Sequence, residues 1–397
     1  MGKLVVTREV KLPDLLRLER YRRLPELGPS VLFFSGGSAL KGLSRELTAY
    51  TKNSIHLLSP FDSGGSSAKL RQAFDMPAVG DIRNRLLALA DFSITGNPEV
   101  YALANYRLPE HEVESRLLET LDEMINGQHK LVRAIPNPMR RLLCLQLSFF
   151  REAMPENFNL SGASIGNLIL TGGYINFQRH LELIIYPFSK LLAVQGVVRP
   201  VVSQPSHLVA ELENGALIIG QHLFTGKEMP PIQSAIRKIS LSSSATEYCP
   251  VEANLRDKIA KIIKSADLIC YPPGSFYSSL VANLLPKGTG KAISQNAGPK
   301  VFIPNLGTDP EQYGMSGDDT LETLMAYLQT DCNKRVKTES LLNYVLVDSK
   351  NGHYNTGLPL KTLKKMSVEI VDTCLVSEQS QPYYDNLLLT QALLSMT

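Results

Sequence analysis

Gly36, Gly37 and Ser38, and then Gly64, Gly65 and Ser66, stand in two glycine–serine loops near the start of the chain: FSGGSALKGL at Phe34–Leu43 and FDSGGSSAKLR at Phe61–Arg71. Each follows an apolar run, Val31–Phe34 and then Ile55–Leu58, and each opens a helical pattern. A helix start offers unpaired N–H groups and the positive end of a dipole, and glycine lets a bulky anion approach them. Two such ends on neighbouring parallel strands would cradle phosphate. Asp62 precedes the second loop, with Lys69 and Arg71 one turn into its helix. A carboxylate there could hold Mg²⁺, which prefers one or two carboxylates plus substrate phosphates, or could only cap the helix. Asp81, Arg83 and Asn84 begin the next helix, either reaching the same crevice or leaving Asp81 as an N-cap and Arg83 in solvent. A third loop, YPPGSFYSS at Tyr271–Ser279, places Gly274, Ser275, Ser278 and Ser279 after another strand pattern. A tight strand–helix turn, for which glycine suffices, is the plainer alternative for the first loop.

Other nucleotide and catalytic signatures are absent or out of context. The phosphate-loop pattern G-x-x-x-x-G-K-[ST] fails at Gly290-Lys291, where Ala292 follows and Leu285 takes the leading glycine position. Gly36 and Gly37 are adjacent, so the dinucleotide fingerprint G-x-G-x-x-G is missing as well. An acid about 20 residues after a first loop would serve a ribose, and Asp62 stands near that distance, which keeps a nicotinamide oxidoreductase open. Gly162–Gly166 spells G-x-S-x-G, but no strand precedes it, so Ser164 reads as a helix N-cap and not as a nucleophile. The histidines, His222 among them, are scattered singly, without metal-ligand spacing.

The elements that must position these loops follow an alternating order. From Val31 to Asp91 the pattern is strand, loop, helix, twice over, which argues for a parallel sheet with covered faces. Residues 1–30 read as a polar, basic extension, and residues 97–160 as a helical insertion. Two helices follow from Ser164, with a break expected near Gly172-Gly173. The short runs Val197–Val202, His207–Leu212, Leu217–Ile219 and Ile236–Leu241 suggest a small antiparallel sheet, with Asn214-Gly215 as a hairpin turn. Parallel α/β character returns from Glu252 onward, and residues 317–397 complete the same domain. The expected class is α/β: a Rossmann-like, doubly wound, mostly parallel sheet with a helical insertion and a small antiparallel sheet.

Composition is that of an ordinary soluble globular protein, with 397 residues, 44% apolar and 20% charged. The formal net charge of +3 is too weak to imply nucleic-acid or membrane binding. No apolar stretch approaches the roughly 18 residues that a membrane span needs. Val6 stands where a myristoylation signal beginning at Gly2 would want Ser or Thr. Five unclustered cysteines suit reduced, mostly buried thiols and a cytoplasmic location. A symmetric homodimer is the default assembly.

Taken in order, FFSGGSALKGL, FDSGGSSAKLRQAFDMPAVGDIRNRLLALAD, SIGNLIL, SKLLAVQGVVRP, ADLICYPPGSFYSSLVANLLPKG and PNLGTDPEQYGMS resemble the 2-phospho-L-lactate transferase family and its relatives, the gluconeogenesis factors, over residues 31–316. The resemblance implies a Rossmann-like fold. For transferases it implies Mg²⁺ and a GDP-linked donor whose phospholactyl-type group passes to a deazaflavin hydroxyl, with release of GMP. For the gluconeogenesis factors it implies UDP-sugar binding and regulation without chemistry. Gly36, Gly37 and Ser38 would hold phosphate, Asp62 would meet metal or acceptor, and Asp81 would meet the acceptor. Gly274 and Ser275 would contact the nucleotide, and Asn167, Lys190 and Asn305 match shared motif positions. Phe61 departs from the pattern, standing where the first of two acids is expected.

Two functional expectations result. In one, Asp62 and Asp81 place Mg²⁺ and an attacking hydroxyl while the glycine loops and Arg71 or Lys190 stabilise phosphate charge. In the other, the same loops hold a nucleotide sugar and no reaction follows.

Overall fold

The computed structural model describes residues 9–332 and 336–397, so Gly2 and Val6 lie outside the described residues. Five consecutive buried residues, Val31–Ser35, form β1. Successive side chains of a strand point to opposite faces. Leu32 and Phe34 therefore join one core with Ile269 and Tyr271, while Val31 and Phe33 join another with Leu268 and Cys270. A strand buried on both faces belongs in a parallel sheet covered by helices.

That sheet contains β1, β2 (Ile55–Leu58) and β3 (Val197–Pro200). A separate antiparallel sheet follows, made of β4 (His207–Leu212), β5 (Leu217–Ile219), β6 (Ile236–Ser242) and β7 (Pro250–Val251). The chain then returns to the main sheet with β8 (Leu268–Tyr271), β9 (Lys300–Phe302), β10 (Tyr344–Val347) and β11 (Glu369–Asp372). The main order is β11-β10-β9-β8-β1-β2-β3, and every neighbouring pair is parallel. From β1 the chain steps outward one way to β3, then resumes on the other side of β1 at β8. The reversal between β1 and β8 is the point at which open α/β sheets receive ligands, beyond the carboxyl ends of the strands.

Two local expectations need correction. Val197–Val202 does not join the antiparallel sheet: β3 pairs in parallel with β2, from Ile55↔Val197 to Leu58↔Pro200. The helices Ile165–Asn176 and Leu181–Leu191 precede it and supply the crossover that a parallel strand requires. Nor does Gly172-Gly173 break a helix; Ile165–Asn176 runs through it. A Cβ on either glycine would overlap Gln146 or Ile184, so the pair serves close helix packing.

The helices Pro98–Asn105, Glu114–Ile125, Lys130–Arg133 and Met139–Ala153 share a core with Leu58, Leu70 and Ile82, on the flank of the sheet. At the other flank, the helix Leu15–Arg23 docks on Asn386–Ser395, where Arg17 Nη1 donates to Ser395 O at 2.9 Å. All five cysteines are unpaired, but Cys270 alone is fully buried and Cys249 and Cys374 are exposed. No described helix is long and apolar enough to cross a membrane.

Candidate functional site

The first glycine loop leaves β1 at the switch point, and Arg85 determines how it faces. This arginine is fully buried on the helix Gly80–Ala88 and donates to Gly36 O and Leu40 O, each at 2.9 Å, and to Gly37 O at 3.4 Å. Burial lowers its pKa to about 10, so it remains charged at neutral pH. In a trans peptide the N–H points opposite to the C=O. With the Gly36 and Gly37 carbonyls turned inward to Arg85, the Gly37 and Ser38 amides turn outward; the amides of Ser38 and Ala39 meet no acceptor among the described residues.

They face a cavity of about 150 Å³. Gly36, Gly37, Ser38, Asp62, Gly64, Asp81, Gly274 and Ser275 line it together, so the expected loops do converge. Asp81 does not cap its helix. Val79 holds the N-cap position, and Asp81 lies against the first loop so closely that a Cβ on Gly37 would overlap its carboxylate. Burial first, and the Asp62 carboxylate second, push the Asp81 carboxyl up to about 7, against the pull of Arg85, Lys227 and the Gly37 amide. Asp62 makes a local turn, its Oδ1 accepting from the Gly64 amide at 3.1 Å.

A carboxylate such as Asp62, beside loop amides that face a cavity, suits a hard divalent ion that also binds substrate phosphate. Among the described residues no three His, Cys, Asp or Glu side chains could hold a metal by themselves. The donor set therefore fits Mg²⁺ shared with a ligand's phosphates, not a metal caged by protein alone.

Several expected residues lie elsewhere. Arg71 is buried and donates to Phe61 O, Asp62 O and Ser206 O at 3.0, 3.1 and 2.6 Å, which ties the loop before its helix to the start of the antiparallel sheet. Lys190 lines a depression with Lys52 and Gln195, at the amino ends of β2 and β3 and so across the sheet from the crevice. Asn167 is buried and donates to Ser66 Oγ at 3.0 Å, joining two helices, and neither it nor Ser66 or Gly65 lines the cavity. Arg83 is neither solvated nor in the crevice; it is buried and donates to Ser164 Oγ and Asn84 Oδ1. Phe61, in place of an acid, is buried in the core beside the antiparallel sheet.

The third loop is positioned as expected but occupied by the protein. Asn305 clamps Gly274, accepting from its N–H at 2.7 Å and donating to its carbonyl at 2.8 Å. Asp309 accepts from Phe276 N at 2.7 Å, and Glu311 accepts from Tyr277 N and Ser278 N, each at 2.8 Å. The Ser278 hydroxyl also goes to Glu311. Burial, with Asp309 beside it, pushes the Glu311 carboxyl up. Gly274 and Ser275 still form a wall of the cavity, but most of that loop's amides are spent.

Sequence reasoning missed the wall built by the segment after β5, where Gln221, His222, Thr225, Lys227 and Glu228 close the cavity. Lys227 supplies the cation that Arg71 and Lys190 were expected to bring. His222 Nδ1 lies 2.8 Å from Ser63 Oγ, whose oxygen also accepts from the His222 amide at 3.3 Å. The Ser63 proton has no other acceptor among the described residues. Where the Ser63 hydroxyl donates to Nδ1, a neutral imidazole carries its proton on Nε2. No local pattern announces this, because Ser63 and His222 are 159 residues apart.

Fold and crevice together define a Rossmann-like, doubly wound α/β protein whose switch-point cavity combines free loop amides with a carboxylate pair. The chain belongs to the CofD family: the family described as 2-phospho-L-lactate transferase CofD matches residues 31–376. A relative from Nostoc sp. is 30% identical over 332 residues, 83% of this chain, which spans only 57% of that relative's length. The gluconeogenesis factor of Halalkalibacterium halodurans is 30% identical over 298 residues, covering 75% of this chain and 73% of its own. A crystal structure of a UPF0052 family member from Bacillus halodurans superposes with a TM-score of 0.67 over 93% of this chain and 99% of that one, at 23% identity, and shares the fold.

Proposed function

We propose that the crevice binds a nucleoside-diphosphate-linked small molecule with Mg²⁺ and transfers its phosphorus-linked group to an acceptor hydroxyl. The observation that carries this reading is Asp81, a carboxylate of raised proton affinity packed against the first glycine loop, whose Ser38 and Ala39 amides meet no acceptor among the described residues. A base poised near neutral pH is what proton removal from a hydroxyl calls for. The acceptor oxygen forms a bond to the phosphorus distal to the nucleoside. The bridging P–O bond breaks, the nucleoside monophosphate leaves with the electron pair, and the hydroxyl proton passes to Asp81. Ser38 and Ala39 amides, Lys227 and the Nε2–H of His222 hold the phosphate oxygens, and charge stabilisation by such fixed donors is the main catalytic contribution in phosphoryl transfer. Asp62 would hold the Mg²⁺, which when bound neutralises phosphate charge.

A second reading is favoured by the relatives named gluconeogenesis factor and by Phe61 in place of an acid. Here a UDP-linked sugar is bound and nothing is transferred. A thermal-shift panel of GDP, UDP-sugars and NAD, with and without Mg²⁺, followed by assay of nucleoside monophosphate release with candidate hydroxyl acceptors, separates the two. The transferase reading expects Mg²⁺-dependent stabilisation and release of monophosphate. Stabilisation without release supports the regulator, and no shift with any nucleotide removes both.

A further inference from the structure

The crevice is too small for the whole of the ligand proposed for it. Its volume of about 150 Å³ falls short of the roughly 300 Å³ at which small-molecule sites begin. It adjoins a larger depression of about 520 Å³, with Lys227, Gly274 and Ser275 lining both. Lys227 Nζ lies 3.4 Å from Ser275 Oγ, at that neck. Beyond it the chemistry changes. Leu43, Leu306, Pro310 and Leu389 make apolar walls, and the ring of Tyr383 stands on the lining, 65% exposed. A Cβ on Gly307 would lie 3.6 Å from that ring, so Gly307 packs at its edge.

The segment carrying the ring is fixed. The Tyr384 hydroxyl donates to Pro304 O at 2.8 Å, and Asp385 caps the helix Asn386–Ser395 by accepting from the Leu387 and Leu388 amides. The Asn386 side-chain amide also faces the depression and has no hydrogen-bond partner among the described residues. An apolar slot with an aromatic face on an anchored segment and one free amide matches a planar ring with a polar edge.

We propose that this depression receives the nucleobase, stacked on Tyr383 and contacted at its edge by Asn386, while the diphosphate lies in the crevice with Lys227 between them. The proposal rests on the nucleoside-diphosphate reading above. Both residues lie beyond residue 376, where the family match ends, whereas most of the depression's other walls lie within it.

Calorimetric titration of the full chain with GDP, UDP and inorganic pyrophosphate, in Mg²⁺, tests it on the wild type, Tyr383→Ala and Tyr383→Phe. Loss of a stacking ring is expected to weaken both nucleoside diphosphates about tenfold or more, to leave pyrophosphate within about twofold, and to be rescued by Phe. Unchanged nucleotide affinity in Tyr383→Ala overturns the subsite. So does a parallel loss of pyrophosphate binding, which would mean that the ring supports only the fold. A raised KM for the acceptor with nucleotide affinity intact would give the slot to the acceptor and also overturn the proposal. A wild type that binds pyrophosphate no more weakly than nucleotide removes the base subsite alone, whereas one that binds neither removes the nucleotide reading with it.

Discussion

The first and third glycine–serine loops look alike in sequence and end differently in the fold. Both leave the carboxyl end of a central strand, β1 or β8, and both lead into a helical turn. In the first, Arg85 takes the carbonyls and turns the amides to the cavity. In the third, Asn305, Asp309 and Glu311 take the amides themselves. Whether such a loop can receive an anion is decided by what the rest of the chain brings to it. Arg85 behind the first loop leaves its Ser38 and Ala39 amides open; Asn305, Asp309 and Glu311 in front of the third take most of its amides.

The largest effect should come from the carboxylate facing the open loop. Asp81→Asn should lower turnover by about 10²–10⁴-fold, the range for a general base, while nucleotide affinity stays within about tenfold. Its effect on stability has the opposite sign. The folded carboxyl binds its proton up to about pH 7, against an ordinary aspartate value of 3.8, so the folded state holds the extra proton between those limits. Stability then falls as pH rises from about 4 to about 7 and stays lower above it. Because the side chain keeps some solvent contact, about 1–2 kcal/mol is expected. Denaturant titrations across that range should show the slope in the wild type and its loss in Asp81→Asn. Unchanged turnover in the variant would remove Asp81 from the reaction.

Substitutions at the two loops sharpen the contrast. Glu311→Ala strands the buried amides of Tyr277 and Ser278 and should cost about 3 kcal/mol of stability in denaturant unfolding, with little effect on nucleotide affinity in the folded protein. Gly37→Ala should do the reverse. Its methyl group must displace the Asp81 carboxylate, so nucleotide affinity should fall about tenfold or more while stability changes by about 1 kcal/mol. If Glu311→Ala weakened nucleotide binding more than Gly37→Ala, the assignment of open and filled loops would be reversed.

Much of this arrangement was legible in the sequence because it is local. The uninterrupted apolar runs of β1 and β8, the alternation of strands with helices, and the Asn214-Gly215 hairpin all follow from neighbouring residues. So does the convergence of Gly36, Gly37, Asp62 and Gly274, since parallel strands align their carboxyl ends. What was not legible depends on pairs distant in the chain. The run containing β3 resembles its antiparallel neighbours, and only the crossover before it assigns it to the main sheet. Arg71 and Lys190 carry the right charge, but burial and the wrong end of the sheet remove them, whereas Lys227 sits in a loop without periodicity. The acids that fill the third loop come from a different connection, 33 residues or more beyond the amides they hold.

The smallest effect tests the least legible contact. Ser63 does not line the cavity; it sits behind His222 and is a positioning residue. Ser63→Ala removes the only described donor to Nδ1, so either ring nitrogen can carry the proton and the fraction presenting Nε2–H falls. A two- to fivefold loss of kcat with KM little changed is expected, since a donor's role in holding phosphate charge grows as that charge develops. Ser63→Thr keeps the hydroxyl and should restore kcat. A loss of stability alone, with kcat unaltered in Ser63→Ala, would reduce the contact to packing and leave the cavity's charge to Lys227 and the loop amides.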